Sequence, residues 1–471
     1  MNPLNVELLR KIPSVDKILK DLKNLYSCAP VYLSQEVRKY LQNLREKIEQ
    51  GEKVDISYSV LLEEIKEKIQ KKVSPNVTRA INATGIVLHT GLGRAVLPVD
   101  AINALVKEIS GYCVLEIDRE TGKRSVRDIA IRDILCSLTQ AQDATVVNNN
   151  AGAILLVLAS LTRGKEVIVS RGQLVEIGGS FRVPEILAES GSELIEVGCT
   201  NCTHLRDYEK AISPKTGAIL FVHTSNYQIQ GFTQEVPLED LADLARKKNI
   251  LLLEDAGSGA MFDFSPWSLQ GDPVVRESIQ KGADVVSFSG DKLLGGCQAG
   301  FIIGKHDLIE KIRKHPLARA LRVDKLTLCA LESTLQIYRE GNHLERIPAL
   351  SMITAPLEII QNRAEKIAFS LKANFPQIKI SVVSSMCSPG SGSFPTKEIP
   401  SYAVCLELPS KLAILEILLR KNTPPVFARV HKNCLLIEPR TLLPHEDMEV
   451  LEILFHLLKK IFQEKEESFY A

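Results

Sequence analysis

Five short apolar runs, each stopped by polar side chains, constrain this chain more than any other feature: ATVV 144–147, EVIVS 166–170, AILFVH 218–223, ILLLED 250–255 and DVVSFS 284–289. Each has the length of a buried strand, and helical stretches lie between them. Strands apolar along their whole length and separated by helices predict a largely parallel α/β sheet covered on both faces. In such a sheet ligands gather beyond the carboxyl ends of the strands. The polar residues cluster there: Asn148, Asn149 and Asn150, Ser170, His223, Asp255, Ser287 and Ser289.

The flanks read differently. Val15, Ile18, Leu19 and Leu22 fall at i, i+3, i+4, i+7, and Val37, Tyr40, Leu41 and Leu44 repeat that spacing behind Ser34, an expected N-cap. Leu61, Ile65 and Ile69 form a third stripe. Residues 1–72 are therefore expected to be a helical domain and 73–85 a linker, followed by the α/β domain over 86–345. Residues 346–471 open on a helical stretch and pass the loop CSPGSGSFP 387–395. Short runs follow at 401–408, 425–430 and 434–439, with an amphipathic helix near 410–420, and together they predict a small α+β domain.

At 471 residues the chain is long enough for two or three such domains. With 58 basic against 57 acidic residues, no global charge advertises a nucleic-acid partner, and any such partner must be met locally. Residues 1–72 carry 14 Lys/Arg against 11 Asp/Glu, with Lys17, Lys20 and Lys23 off the first apolar stripe. This fits a solvated helical face and also a weak grip on a phosphate backbone. No signal peptide or membrane-spanning run is apparent, so a cytoplasmic location is expected. Ten scattered cysteines read as reduced thiols. Cys199-x-x-Cys202 with His204 opens a metal or redox pattern, but no second cysteine pair stands at zinc spacing, and no metal site is expected.

Asp255 closes one predicted strand, and Lys292, in SFSGDKLLGGCQAG 287–300, follows the next one 37 residues later. That interval accommodates one crossover and one strand, so both side chains can meet over one sheet edge. A structural ion pair explains this, and so does pyridoxal 5'-phosphate. The cofactor's aldehyde needs a lysine, and its ring nitrogen needs an acidic partner to stay protonated. A phosphate cradle is available where the strand 144–147 leads through three asparagines into the helix opened by Asn150, Ala151 and Gly152, whose first amides and dipole would face a dianion. An Asn-rich turn can also simply end a strand. Ser289, three residues before Lys292, offers a further hydroxyl. A P-loop does not fit, because the lysine precedes its glycines.

These blocks, with INATGIVLHTGLGRA 81–95, SRGQLVEIGGSFRVPEI 170–186, HTSNYQIQGFT 223–233 and HPLARALRVDKLTL 315–328, resemble the bacterial selenocysteine synthase family, the L-seryl-tRNA(Sec) selenium transferases. The likeness runs over essentially the whole chain. It implies a fold-type I pyridoxal-phosphate enzyme that eliminates the seryl hydroxyl as water and then adds selenium from selenophosphate, with seryl-tRNA(Sec) held by the amino-terminal domain. It also implies homodimers with active sites at the subunit interface, assembled five to a ring as a decamer. By this resemblance Lys292 is the cofactor lysine, Asp255 the ring-nitrogen partner, and Arg94, Arg319 and Arg322 the receivers of the selenium donor, an oxyanion suited to guanidinium groups. The spacing of Arg319 and Arg322 makes them neighbours on a helix, which suits a joint anion clamp and also a solvated helix face. His223, Gln173 and Glu176 are candidates for cofactor-side contacts, each also readable as an ordinary strand-end or loop residue. Two departures stand out. Cys297 occupies the place of the family's usual proline and Cys202 that of an arginine, so one charged contact is in doubt and Cys297 is a candidate reactive thiol. Competing readings are a related lyase acting on a small amino or sugar acid, and a tRNA-binding homologue without catalysis.

Overall fold

The structure, a computed structural model, describes residues 3–463 apart from Asn24, Ser27, Ser180 and Ser391. The chain divides into two compact units, residues 1–79 and 80–471. Among the described residues no helix is long and apolar enough to cross a membrane.

The first unit is built from helices Pro3–Lys11, Val15–Leu22, Pro30–Glu49 and Tyr58–Val73. The three apolar stripes close on one another: Ile18, Leu22, Val37, Leu41, Leu61, Ile65 and Ile69 are buried in a single cluster, while Lys17, Lys20 and Lys23 are exposed. Ser34 is not a cap. The long helix begins earlier, with Pro30 at its first position behind Ala29, because a proline without an N–H suits the helix start as well as a capping hydroxyl does.

The second unit holds a seven-stranded sheet, with β1 Asp143–Val147, β2 Glu166–Ser170, β3 Glu193–Val197, β4 Thr216–Val222, β5 Leu251–Gly257, β6 Val285–Ser289 and β7 Gly300–Gly304. Their order is β1-β7-β6-β5-β4-β2-β3. The run from β6 to β3 is parallel, and β7 is antiparallel to both neighbours. Alternate residues feed two apolar layers, Ile168, Ile219, Leu252 and Val286 on one face and Val167, Ala218, Leu253 and Val285 on the other. This two-sided burial is why the strands read as continuous apolar runs. The register sets Asp255 beside Val222 on one side and Ser287 on the other.

A second, six-stranded sheet combines Lys379–Gly390, Ile399–Glu407, Val426–His431 and Cys434–Ile437 with two strands from before the large sheet, Ile81–Ala83 and Ile86–Leu88. The stretch expected as a linker up to 85 therefore already contributes a strand, with Ile81 and Ala83 fully buried against the carboxy-terminal core. At the other expected boundary, Ile347, Leu350 and Ile353 still pack into the large-sheet core. Cys387 to Gly390, read as loop from Pro and Gly content, belong to a strand, and Gly390 pairs with Leu88.

Candidate active site

The carboxyl edge of β4, β5 and β6 assembles the site. Lys292 follows β6 through a tight turn and is 6% exposed, while Asp255 on β5 is 4% exposed. Burial lowers the Lys292 amine below its ordinary range. The Arg94 charge adds to this, while Asp255, Asp291 and Asp272 oppose it. Burial also raises the Asp255 carboxyl, against the Asn150 amide, the Lys292 charge, the Gly257 amide and His223. Asn150 Nδ2 donates to Asp255 Oδ1 at 2.8 Å and the Gly257 amide donates to the same oxygen at 3.1 Å. Oδ2 accepts from no described residue. A buried carboxylate pushed upward is short of positive charge, which a protonated ring nitrogen would supply.

The helix Asn150–Leu161 starts at this edge, but its cap is partly internal. Asn149 Oδ1 accepts from the Gly152 amide at 2.8 Å, and the Asn149 carbonyl accepts from Ala153 at 3.0 Å. The amides of Asn150 and Ala151 remain outside the helix ladder, directed to the end where a phosphate would sit. Buried polar atoms without partners gather around the same edge: Asn150 Oδ1, His223 Nε2, Ser225 Oγ, Ser258 Oγ, Asp272 Oδ1 and Ser287 Oγ. Buried polar atoms are ordinarily satisfied, so this concentration fits a polar cofactor such as pyridoxal phosphate. Ser289 ends β6, buried, and Gly259 packs so closely that a Cβ there would stand 2.5 Å from the Ser289 carbonyl.

His223 stands beside Asp255, its amide donating to the Asp255 carbonyl at 2.9 Å, and burial holds its imidazole below the usual range. Gln173 is buried next to it, with Oε1 accepting from Val222 N at 3.2 Å and Nε2 donating to Glu235 at 2.7 Å. Glu176 is not brought to this cluster. It is exposed and paired with Arg182 at 2.9 Å. Arg94 has left-handed backbone, φ 63°, and reaches Asp291, the residue before Lys292, at 2.7 Å.

Arg319 and Arg322 line a cavity whose lining does not include Lys292. Helix Pro316–Ala320 holds only Arg319. Leu321 ends it by packing over Gly152 and accepting from Asn148 N at 3.0 Å, so Arg322 is drawn into a bridge with Val147. Both arginines still line one cavity of ≈ 370 Å³, together with Arg127 and Arg313, and Arg322 is 3.6 Å from Glu116. Cys297 is half-buried, and burial pushes its thiol up to about 11, the opposite of an activated thiolate. Cys202 contacts the Phe232 carbonyl, and among the described residues no cluster suits a metal ion.

Sequence reasoning did not find Asp291 as the partner of Arg94 or Asn150 as a ligand of the Asp255 carboxylate, although all of these lie in blocks singled out above. It gave no sign of Asp272, a buried carboxylate 3.6 Å from His223.

Residues 80–443 match the model of the L-seryl-tRNA selenium transferase family. The chain is 45% identical to the L-seryl-tRNA(Sec) selenium transferase of Solidesulfovibrio magneticus over 93% of its own length and 96% of the relative's. It is 44% identical to that of Aquifex aeolicus over 94% and 97%. Among solved structures, D-glucosaminate-6-phosphate ammonia-lyase superposes with a TM-score of 0.57 at 19% identity, covering 84% of this chain and 99% of that one, a likeness of fold. The chain belongs to the L-seryl-tRNA selenium transferase family.

Proposed function

We propose that this protein replaces the seryl hydroxyl of seryl-tRNA(Sec) with selenium from selenophosphate, whose Se–P bond breaks, giving selenocysteinyl-tRNA(Sec) and inorganic phosphate, with pyridoxal phosphate held on Lys292. The observation that carries this reading is the burial of one amine, Lys292, and one carboxylate, Asp255, close enough for each charge to act on the other, at the carboxyl edge of the parallel strands. When bound, pyridoxal phosphate supplies the electron sink that lets a proton leave the α-carbon of an attached amino acid.

The chain's own groups do the rest. Burial and Arg94 lower the Lys292 amine, which favours its role as a base. Lys292 Nζ would hold the cofactor and would accept the α-proton of the bound substrate. The same ammonium returns the proton to the departing β-hydroxyl, which leaves as water. Asp255, oriented by Asn150 and Gly257, would hold the cofactor's ring nitrogen cationic. Arg94 is fixed by Asp291 through Nη1, leaving its other N–H groups for the selenium-bearing anion.

Arg319 and Arg322 take part in donor binding when a second copy is docked. The apolar side chains of Val99, Ile102, Val106, Tyr112, Val114 and Ile117 are exposed in the single chain, which supports self-association; the assembly proposed is dimers joined into a decamer. The helical unit, with its exposed lysines, holds the tRNA, and the protein works in the cytoplasm. Incubation with seryl-tRNA(Sec) and selenophosphate, followed by analysis of the aminoacyl group, tests the assignment. Selenocysteine is expected. Unchanged serine, or turnover of free amino acids without tRNA, would overturn it.

A further inference from the structure

The second sheet delivers a short loop, Gly392 to Lys397, to Lys292. A Cβ on Gly392 would stand 2.7 Å from Lys292 Nζ. Two residues of the loop that are not glycine hold left-handed backbone, Phe394 at φ 44° and Thr396 at φ 66°. Such conformations are costly for bulky or branched residues and persist only where anchors impose them. Three anchors do so. The Phe394 ring packs edge-on against Phe264 with centroids 5.2 Å apart. Thr396 Oγ1 donates to Gln228 Oε1 at 2.9 Å. The Phe394 amide donates to Asp272 Oδ2.

The Asp272 side chain is fully buried, and its other oxygen, Oδ1, has no hydrogen-bond partner among the described residues. It faces His223 Nε2, also buried and unpartnered, at 3.6 Å. Pro395 lines two cavities at once. One of ≈ 380 Å³ is bordered by His89, Ser225 and Gly392, and one of ≈ 300 Å³ by Gln173, His223 and Gln228. The loop is thus the wall between them.

We propose that Asp272 is a positioning residue for the reaction: Oδ2 pins the 392–397 loop as the wall beside Lys292, and Oδ1 faces His223 Nε2 across 3.6 Å as its electrostatic partner. At 3.6 Å, with both atoms unpartnered, the two make no hydrogen bond, and the carboxylate acts on the imidazole through space, opposing the downward pull of burial. The turnover half of this proposal rests on the reaction assigned above. The loop half does not.

Hydrogen exchange on the full-length, cofactor-loaded protein reads the loop half. Asp272→Ala is expected to speed exchange of the amides of Ser393, Phe394, Thr396 and Lys397 about tenfold or more, as loss of the acceptor implies. Asp272→Asn should leave it near the parent rate, because the amide oxygen can still accept from Phe394. Asp272→Ser replaces the alanine variant if that one fails to fold. Steady-state kinetics read the other half. Asp272→Asn replaces the carboxylate facing Nε2 with a neutral amide, and it is expected to lower kcat about tenfold with KM for seryl-tRNA held, an effect absent in a His223→Gln background. Parent-like exchange in Asp272→Ala, or an equal kcat loss in both backgrounds, would overturn the proposal.

Discussion

Glu254 precedes Asp255 on β5 and is 2% exposed, with Oε2 buried and unpartnered. Burial pushes its carboxyl from 4.5 up to about 7, aided by the Asp255 and Glu239 charges and opposed by Ser278 and Lys281. An acid raised on folding binds more protons folded than unfolded, so its penalty is absent below about pH 4.5 and complete above about pH 7. A shift of this size corresponds to about 3 kcal/mol at pH 8 and to less than about 1 kcal/mol at pH 5. Glu254→Gln keeps the shape and removes the charge. Urea unfolding of variant and parent, compared at both pH values, is expected to show the variant more stable by about 3 kcal/mol at pH 8 and nearly equal at pH 5. A variant less stable at pH 8, or an offset independent of pH, would refute the reasoning that burial dominates at this position.

Asp143 is completely buried and meets Arg132 at 2.8 Å, His306 at 2.9 Å and Arg313 at 3.0 Å. Asp143→Asn leaves the two guanidinium groups without their counter-charge and should cost about 3–5 kcal/mol by urea unfolding. Although burial opposes it, Arg313, the Ala144 amide and Arg132 hold this carboxyl below the usual range. Its contribution is therefore present above the unfolded carboxylate range and lost as pH falls through the folded value. Asp255→Asn should retain cofactor absorbance while turnover drops about 10²–10³-fold, and unchanged turnover would remove its assigned role.

The seven-stranded sheet was legible because burial on both faces writes itself as unbroken apolar runs. Two strands were not read. In Glu193–Val197 only the terminal Val197 is fully buried, and Gly300–Gly304 follows directly on the glycines after Lys292. Lys292 and Asp255 were legible as chemistry because each ends or follows a strand. Arg322 was not placed correctly by its spacing from Arg319, since the contact that ends the helix, Leu321 on Gly152, joins residues far apart in sequence. The same holds for Asp272 and Gly392. Each reaches the site through chain folding across many residues, which leaves no periodic trace in the local sequence.

Borohydride reduction of the cofactor-loaded protein, followed by mass analysis of its peptides, bears most directly on all of this. A single phosphopyridoxyl adduct should appear on Lys292 and vanish, with the visible absorbance, in Lys292→Ala. An adduct on another lysine, or undiminished absorbance in the alanine variant, would contradict the account.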